Sequence, residues 1–405
     1  MKKDAISYTE ARDLLLSLPV RTETEPVSLA ECWGRVLAEP LFADENVPAF
    51  DRSAYDGYAV RAADTADASS LHPVTLRILE EIPAGGVSHY SLTEGTAAKI
   101  LTGAPVPEGC DSVIQFEKTT FTDCEVTLTA PCLPGANVIR AGEDVQAGSL
   151  LAPAGTVIDA PLMASLAGQN VSRPCCFRIP KVGIISTGSE LADVGVPLAP
   201  GQIRNTNRYS LAGTLRCLRT EPVFLGIGRD DAGQISSLIR QGLDRCDTVI
   251  LTGGVSVGDY DLTPEAMAMT GADILFESLA MKPGKACCFG TAEGKLIAGL
   301  SGHPSSSLIA LCAVVAPYLK KLCGRQDFMN REIPVTLGDT LEKAAPVTRL
   351  MWGMLDLTDG TAVVRLSSRQ GNVIISSGIG TDVLAEIPAG SGPVEKGTTV
   401  KGVLI

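Results

Sequence analysis

Hydrophobic positions recur along the chain in two rhythms that meet at Pro180. Ahead of it, residues 7–18 (SYTEARDLLLSL) place Ser7 and Glu10 at capping-box spacing before an apolar run, which predicts a short amphipathic helix ended by Pro19. A second helical stretch is expected around residues 28–36. From Val74 to Glu117, short apolar runs are broken by Gly and Pro, the pattern of a small β-rich domain. After Pro180, strand-forming runs alternate with helical stretches, which predicts a parallel α/β sheet. KVGIIS and PVFLGI read as strands, NTNRYSLAGTLRCLR as a helix starting near Asn205, and Arg229-Asp230-Asp231 leads another helix to Leu243. Residues 247–251 carry no charge after Asp247, as a strand covered on both faces requires, so this strand belongs at the centre. ADILFESLAMKPG, KACCFG and KLIAG add sheet, and residues 304–323 form a long closing helix. From Arg331 onward, short strands with Gly and Pro turns return as a separate β domain, joined at residues 324–330.

Composition sharpens this picture without changing it. A chain of 405 residues is expected to hold two to four domains with substantial cores. It is 45% hydrophobic and 20% charged, with no apolar run judged long enough to span a bilayer and no signal-peptide pattern at MKKDAISYTEAR, so the expected place is the cytoplasm. A net charge of −12 leaves no basic field to attract nucleic acid or an anionic membrane. An anionic substrate must then be held by local Lys and Arg residues, backbone amides or a metal. The 12 cysteines contain no C-x-x-C, and the pairs Cys175-Cys176 and Cys287-Cys288 are poorly spaced for ligation, so reduced, mostly buried thiols are expected.

The chemistry concentrates after the central strand, in TGGVSVGDYD. Gly253, Gly254 and Gly258 free the backbone for positive φ and close approach to a ligand, so that amides can converge on an anion. Ser256 adds a hydroxyl, while Asp259 and Asp261 are placed to bind a divalent cation such as Mg2+ that bridges to phosphate. The alternative is a tight strand-to-helix turn with solvated acids. Thr263 is expected to cap the helix opened by Pro264. Lys282 and Lys285 in MKPGK offer positive charge to phosphate or an oxyanion. Ser301, Gly302 and His303 lead to a helix start that is a second candidate anion site. Loops at the carboxyl ends of an open sheet share one crevice, so Thr187 and Glu190 of STGSE, Asp230 of GRDD and these three loops are expected around one pocket. Earlier in the chain, Asp51, Arg52, Ser53 and Asp56 fall within six residues of PAFDRSAYDGYAVR, a polar density hard to bury without purpose, although Asp56-Gly57 could simply set a turn. NVIRAGEDV places Arg140, Glu143 and Asp144 around Gly142. In the last domain only Arg365 and Arg369 could reach a neighbouring site.

In this order, PAFDRSAYDGYAVR, GTAAKILTGAPVPEGCDSVIQFE, NVIRAGEDV, STGSEL, TGGVSVGDYD, MKPGK and AEIPAGSGPVEKG resemble the molybdopterin molybdenumtransferases, the family that includes the gephyrin E domain, from about residue 7 to 405. The resemblance implies a multidomain α/β plus β fold in four parts. These are a segmented linker domain (1–25 and 145–178, with a short piece near 41–51), an inserted β-rich domain (26–144), a three-layer parallel α/β molybdopterin-binding domain (179–325) and a C-terminal β-barrel (326–405). It also implies a cytoplasmic homodimer in which the α/β pocket of one subunit faces the inserted domain of the other. The implied reaction is Mg2+-dependent insertion of molybdate into adenylated molybdopterin with release of AMP, with transient contacts to molybdopterin adenylyltransferase and apo-molybdoenzymes. Asp56, Asp144, Glu190 and Lys282 match catalytic positions. Asp230, Asp259 and Asp261 match metal-binding positions. Thr187, Gly253, Gly254, Ser256, Gly258, Lys285, Ser301, Gly302, His303, Arg52 and Ser53 fall in substrate-binding motifs. Three departures stand out: S-G-H-P where the family reads P-G-N-P, Arg52 and Tyr55 where it has Asn and Met, and Ser189 in place of an Asp. A non-catalytic carrier or scaffold of the same fold, a tungstate-preferring enzyme and the adenylyltransferase itself are the alternatives.

Overall fold

The computed structural model describes residues 5–256, 261–357 and 360–405. Its first helix, α1 (Tyr8–Ser17), forms the expected capping box: the Glu10 amide donates to Ser7 Oγ, and Glu10 Oε2 accepts from the Ser7 amide at 2.8 Å. The stretch at 28–36 is not the second helix expected. It holds only a 3-10 turn, Leu29–Glu31, because its backbone is spent elsewhere: the Gly34 amide bonds Ile158 O, Leu37 bonds Thr156 O, and Val36 O accepts from Phe177.

The chain divides into two compact units. One comprises Pro40–Pro153 and Ala160–Ser172. Its sheet contains β1 (Gly57–Val60), β2 (Val74–Ile82), β3 (Thr96–Ile100), β4 (Ser112–Gln115), β5 (Thr119–Phe121) and β6 (Glu125–Leu128), in the order β4-β1-β3-β2-β6-β5. Alternation sends Tyr58 and Val60 to one apolar layer and Ala59 to the other, so both faces are covered. A register shift between Ile78 and Glu81 lets Leu76 and Ile82 serve opposite faces despite their even spacing. Helix α2 (Ala160–Gly168) belongs to this unit, and beyond it Gln169 Oε1 accepts from the Asp44 and Glu45 amides.

The other unit holds the α/β sheet. Strands β7 (Lys181–Thr187), β8 (Glu221–Gly228), β9 (Thr248–Thr252), β10 (Asp273–Ser278), β11 (Ala286–Ala292) and β12 (Lys295–Leu300) run in the order β8-β7-β9-β12-β11-β10. Strand β9 is internal and wholly buried, as its apolar run demands. The sheet is mixed rather than purely parallel, because β11 returns antiparallel to β12 through a tight turn at Glu293-Gly294. Residues Ile184 and Ile250 face a core shared with α1, α3 (Thr206–Cys217) and the closing helix. Their neighbours Ile185, Val249 and Leu251 face α4 (Ala232–Arg245) and α5 (Thr263–Ala268), which gives three layers.

The closing helix α6 spans Pro304–Leu322. Its length and mean hydropathy are those of a membrane-spanning segment, but 78% of its most apolar window is buried within the protein, as in a core helix. Residues Leu311–Val315 form a π turn, with the Ala316 amide bonding Leu311 O. In that register Cys312 O should meet residue 317, which is proline and has no N–H. The Asn330 side chain donates to it instead at 2.8 Å. After α6, β13 (Glu332–Leu337), β14 (Thr348–Asp356), β15 (Val363–Leu366), β16 (Val383–Ile387) and β17 (Thr399–Leu404) close a barrel in the order β14-β15-β13-β17-β16 and back to β14. Trp352 of β14 donates to Ser305 Oγ of α6 at 2.9 Å, so barrel and α/β sheet share one core.

Candidate active site

The residues following β7, β8, β9 and β12 enclose one cavity of about 500 Å3. Its base is the Gly253-Gly254 turn. Gly253 has φ +103°, and a Cβ there would stand 2.5 Å from Thr187 Oγ1 and 2.8 Å from Thr187 O. Only glycine fits this combination of backbone and space. The Gly253 amide is already committed to Leu300 O at 3.0 Å, so the turn offers a ligand fewer amides than its glycines suggest. Thr263 does not cap its helix: it is the first helical residue, and its hydroxyl donates to Gly253 O at 2.9 Å, locking the turn.

Three carboxylates line the cavity from separate loops: Glu190, Asp230 and Asp261. Ser189 Oγ accepts from the Asp230 amide at 3.3 Å, so the serine that replaces a carboxylate connects two of these loops. Arg204 brings a guanidinium to the same wall, held by the carbonyls of Asp193 and Val196. Thr187, Gly254, Ser256, Ser301, Gly302 and His303 complete the expected set on this cavity. Gly258 and Asp259 lie outside the described residues.

A second cavity of about 630 Å3 shares Ser256, Ser301 and His303 with the first and adds Lys285 and Glu277. Lys282 lines neither: its residue pairs with Arg349 of β14, and its side chain is exposed. At the start of α6, the Ser305 and Ser306 amides donate to Asn372 O at 3.1 and 3.2 Å, so this helix terminus is partly occupied by the chain itself.

Arg52, Ser53, Asp56 and Asp144 belong to the other unit. Asp56 Oδ1 accepts from both the amide and the hydroxyl of Thr102 at 2.7 Å, and these bonds hold its exposed carboxyl below the usual carboxylate range. Ser53 is fully buried and bonds the Tyr55 carbonyl at 2.5 Å, which makes it a turn residue. Arg52 Nε is buried with no hydrogen-bond partner among the described residues. Asp144 is exposed, its amide held by Val47 O.

Sequence reasoning missed Asn205 and Asn207, which line the cavity at the start of α3. The signal was present in N-T-N, but it reads as ordinary helix-cap chemistry, and Asn205 does cap α3 by accepting from the Arg208 amide.

The acidic lining provides hard oxygen donors, the chemistry that suits Mg2+. Among the described residues no three Asp, Glu, His or Cys side chains form a preassembled metal cluster.

Residues 183–321 match the model of the probable molybdopterin binding domain, which defines the class of the α/β domain. The flanking regions match the MoeA N-terminal region (domain I and II) over 6–169 and the MoeA C-terminal region (domain IV) over 334–405. The chain is 34% identical to a molybdopterin molybdenumtransferase of Bacillus subtilis, covering 100% of this chain and 95% of that one. It is 35% identical to one of Nostoc, covering 96% and 90%. The crystal structure of a molybdopterin biosynthesis MoeA protein from Pyrococcus horikoshii superposes with a TM-score of 0.86 at 31% identity, over 99% of this chain and 100% of that one. The chain belongs to the molybdopterin molybdenumtransferase (MoeA) family.

Proposed function

We infer that the protein is an enzyme of molybdenum cofactor biosynthesis that inserts molybdenum into molybdopterin. The observation that carries this is the cavity at the Gly253-Gly254 turn, rimmed by Glu190, Asp230 and Asp261, in a chain that matches the family from end to end.

We propose further that the pterin arrives adenylated, that molybdate is the co-substrate and that AMP leaves. Asp230 and Asp261, with Asp259, would hold Mg2+, which when bound would supply positive charge to the substrate phosphates. Glu190 shares their rim. Thr187, Gly254 and Ser301 surround the organic substrate, while Ser256, His303 and Lys285 border the second cavity and suit the oxyanion. Lys282 supplies charge from outside both cavities. Asp56, fixed as a carboxylate by Thr102, and Asp144 act from the other unit, supplied within a homodimer by a second copy. The setting is the cytoplasm, with transient contacts to molybdopterin adenylyltransferase and to apo-molybdoenzymes.

The test is AMP release from adenylated molybdopterin by the purified protein with Mg2+ at rising molybdate or tungstate. Release that depends on oxyanion and falls about 100-fold in Asp56→Ala is expected, a loss typical of one positioned acid–base group. Tight pterin binding without any release would make the protein a carrier.

A further inference from the structure

Five buried side-chain polar atoms lack a hydrogen-bond partner among the described residues, and two of them, Asn205 Nδ2 and Asn207 Oδ1, belong to residues that line one cavity. Buried polar atoms are almost always paired, so an orphaned donor and an orphaned acceptor two residues apart on one cavity wall call for an occupant. Both side chains are deeply buried, with relative exposures of 1% and 7%.

Their orientations are fixed by their other ends. Asn205 Oδ1 accepts from Ser186 Oγ at 3.0 Å and from the Arg208 amide at 3.3 Å, so the amide nitrogen is the end left free. Asn207 Nδ2 donates to Gly302 O at 2.8 Å, leaving its oxygen free. The two side chains thus leave one donor and one acceptor unpaired, both uncharged.

Resting on the reading of this cavity as the pterin nucleotide site, we propose that Asn205 and Asn207 read a flat heterocyclic edge carrying an adjacent hydrogen-bond acceptor and N–H donor. Asn205 donates to the ring carbonyl or ring nitrogen, and Asn207 accepts from the neighbouring N–H. Two parts of the substrate carry such an edge: the 4-oxo, N3–H side of the pterin, and the amino and ring-nitrogen side of adenine. These asparagines are positioning residues, distinct from the carboxylate rim. A site built around such a pair rejects a ligand lacking the matching group, because the buried amide is then left unpaired.

Titration calorimetry on the full chain tests this with two probes, pterin-6-carboxylate and AMP, each compared with its N-methylated form (N3-methylpterin-6-carboxylate; N6,N6-dimethyl-AMP). For the probe that carries the edge, methylation weakens binding to the wild type at least tenfold, and Asn207→Ala weakens the unmethylated probe by a similar factor. The probe that shows this pattern identifies the source of the edge. Because Asn207 also holds Gly302 O, Asn207→Ala could loosen that loop; the methylated probes on unaltered protein keep the test independent of folding. Probes that bind but tolerate both methylation and Asn207→Ala would overturn the pair while leaving the function intact. Binding of neither probe by the wild type would overturn the reading of the cavity, and the inference with it.

Discussion

Gly253 shows what a single residue contributes here. Its positive φ and the 2.5 Å approach to Thr187 Oγ1 both forbid a methyl group, and both arise because the ends of β7 and β9 meet at the cavity base. Gly253→Ala should therefore cost about 2 kcal/mol, within the range for strained backbone, read as a lowered urea midpoint together with weaker pterin binding. The thiols make a second case. Burial pushes Cys110 and Cys176 up to about 11 and Cys288, Cys312 and Cys323 up to about 12, which leaves them protonated and inert at neutral pH. Cys124 and Cys217 are exposed. A disulfide reagent should label those two quickly in the native protein and the others only slowly or after denaturation; rapid labelling of Cys288 would contradict this burial. At this scale the sequence was informative about glycines, since a Gly-Gly after an apolar strand has few other uses. It was blind to Asn205 and Asn207, whose work depends on which of their two amide ends is already bonded.

Elements were legible where local chemistry and tertiary context agree. Ser7 and Glu10 mark the start of α1, and Asp231 marks the start of α4 by accepting from the Gln234 amide. They were misread where distant backbone wins, as at residues 28–36, or where an element is chosen by a partner, as with the π turn that Asn330 completes. The anchoring of α1 to the barrel gives a prediction of its own. Tyr8 Oη donates to Glu386 Oε2 at 2.5 Å and accepts from Lys401 Nζ at 2.9 Å. Desolvation, and then the bond to Glu386, push the phenol up to about 12, and Lys401 is raised as well by its bonds to Glu386 and Tyr8, against its own desolvation. A raised pKa means that the folded state holds the proton more tightly. Stability from these groups is complete below the unfolded values near 10 and is lost as pH climbs toward 12. The denaturation midpoint should fall across that window. Tyr8→Phe should flatten the fall, leaving the part carried by Lys401, and should cost about 1 kcal/mol at pH 7. An unchanged alkaline slope in the variant would remove Tyr8 from this account.

Across the whole molecule, a net charge of −12 makes the capture of anions a local matter. Arg204 and Lys285 line two adjoining cavities, which is where the proposed function would place that capture. The mixed α/β and β fold class was legible because the switch from strands alone to strands alternating with helices is a property of long segments, on which single misread residues have little effect. The adjoining of the two cavities was not, because Ser256, Ser301 and His303 belong to both walls and nothing in their spacing says so. The central claim is that this one site joins molybdenum to the pterin. It is tested most directly by incubating the purified protein with adenylated molybdopterin, Mg2+ and molybdate, and then measuring molybdenum bound to the pterin released on denaturation. The account predicts close to one molybdenum per pterin for the wild type and little for Lys285→Ala. Pterin recovered without molybdenum from an intact, pterin-binding protein would contradict it.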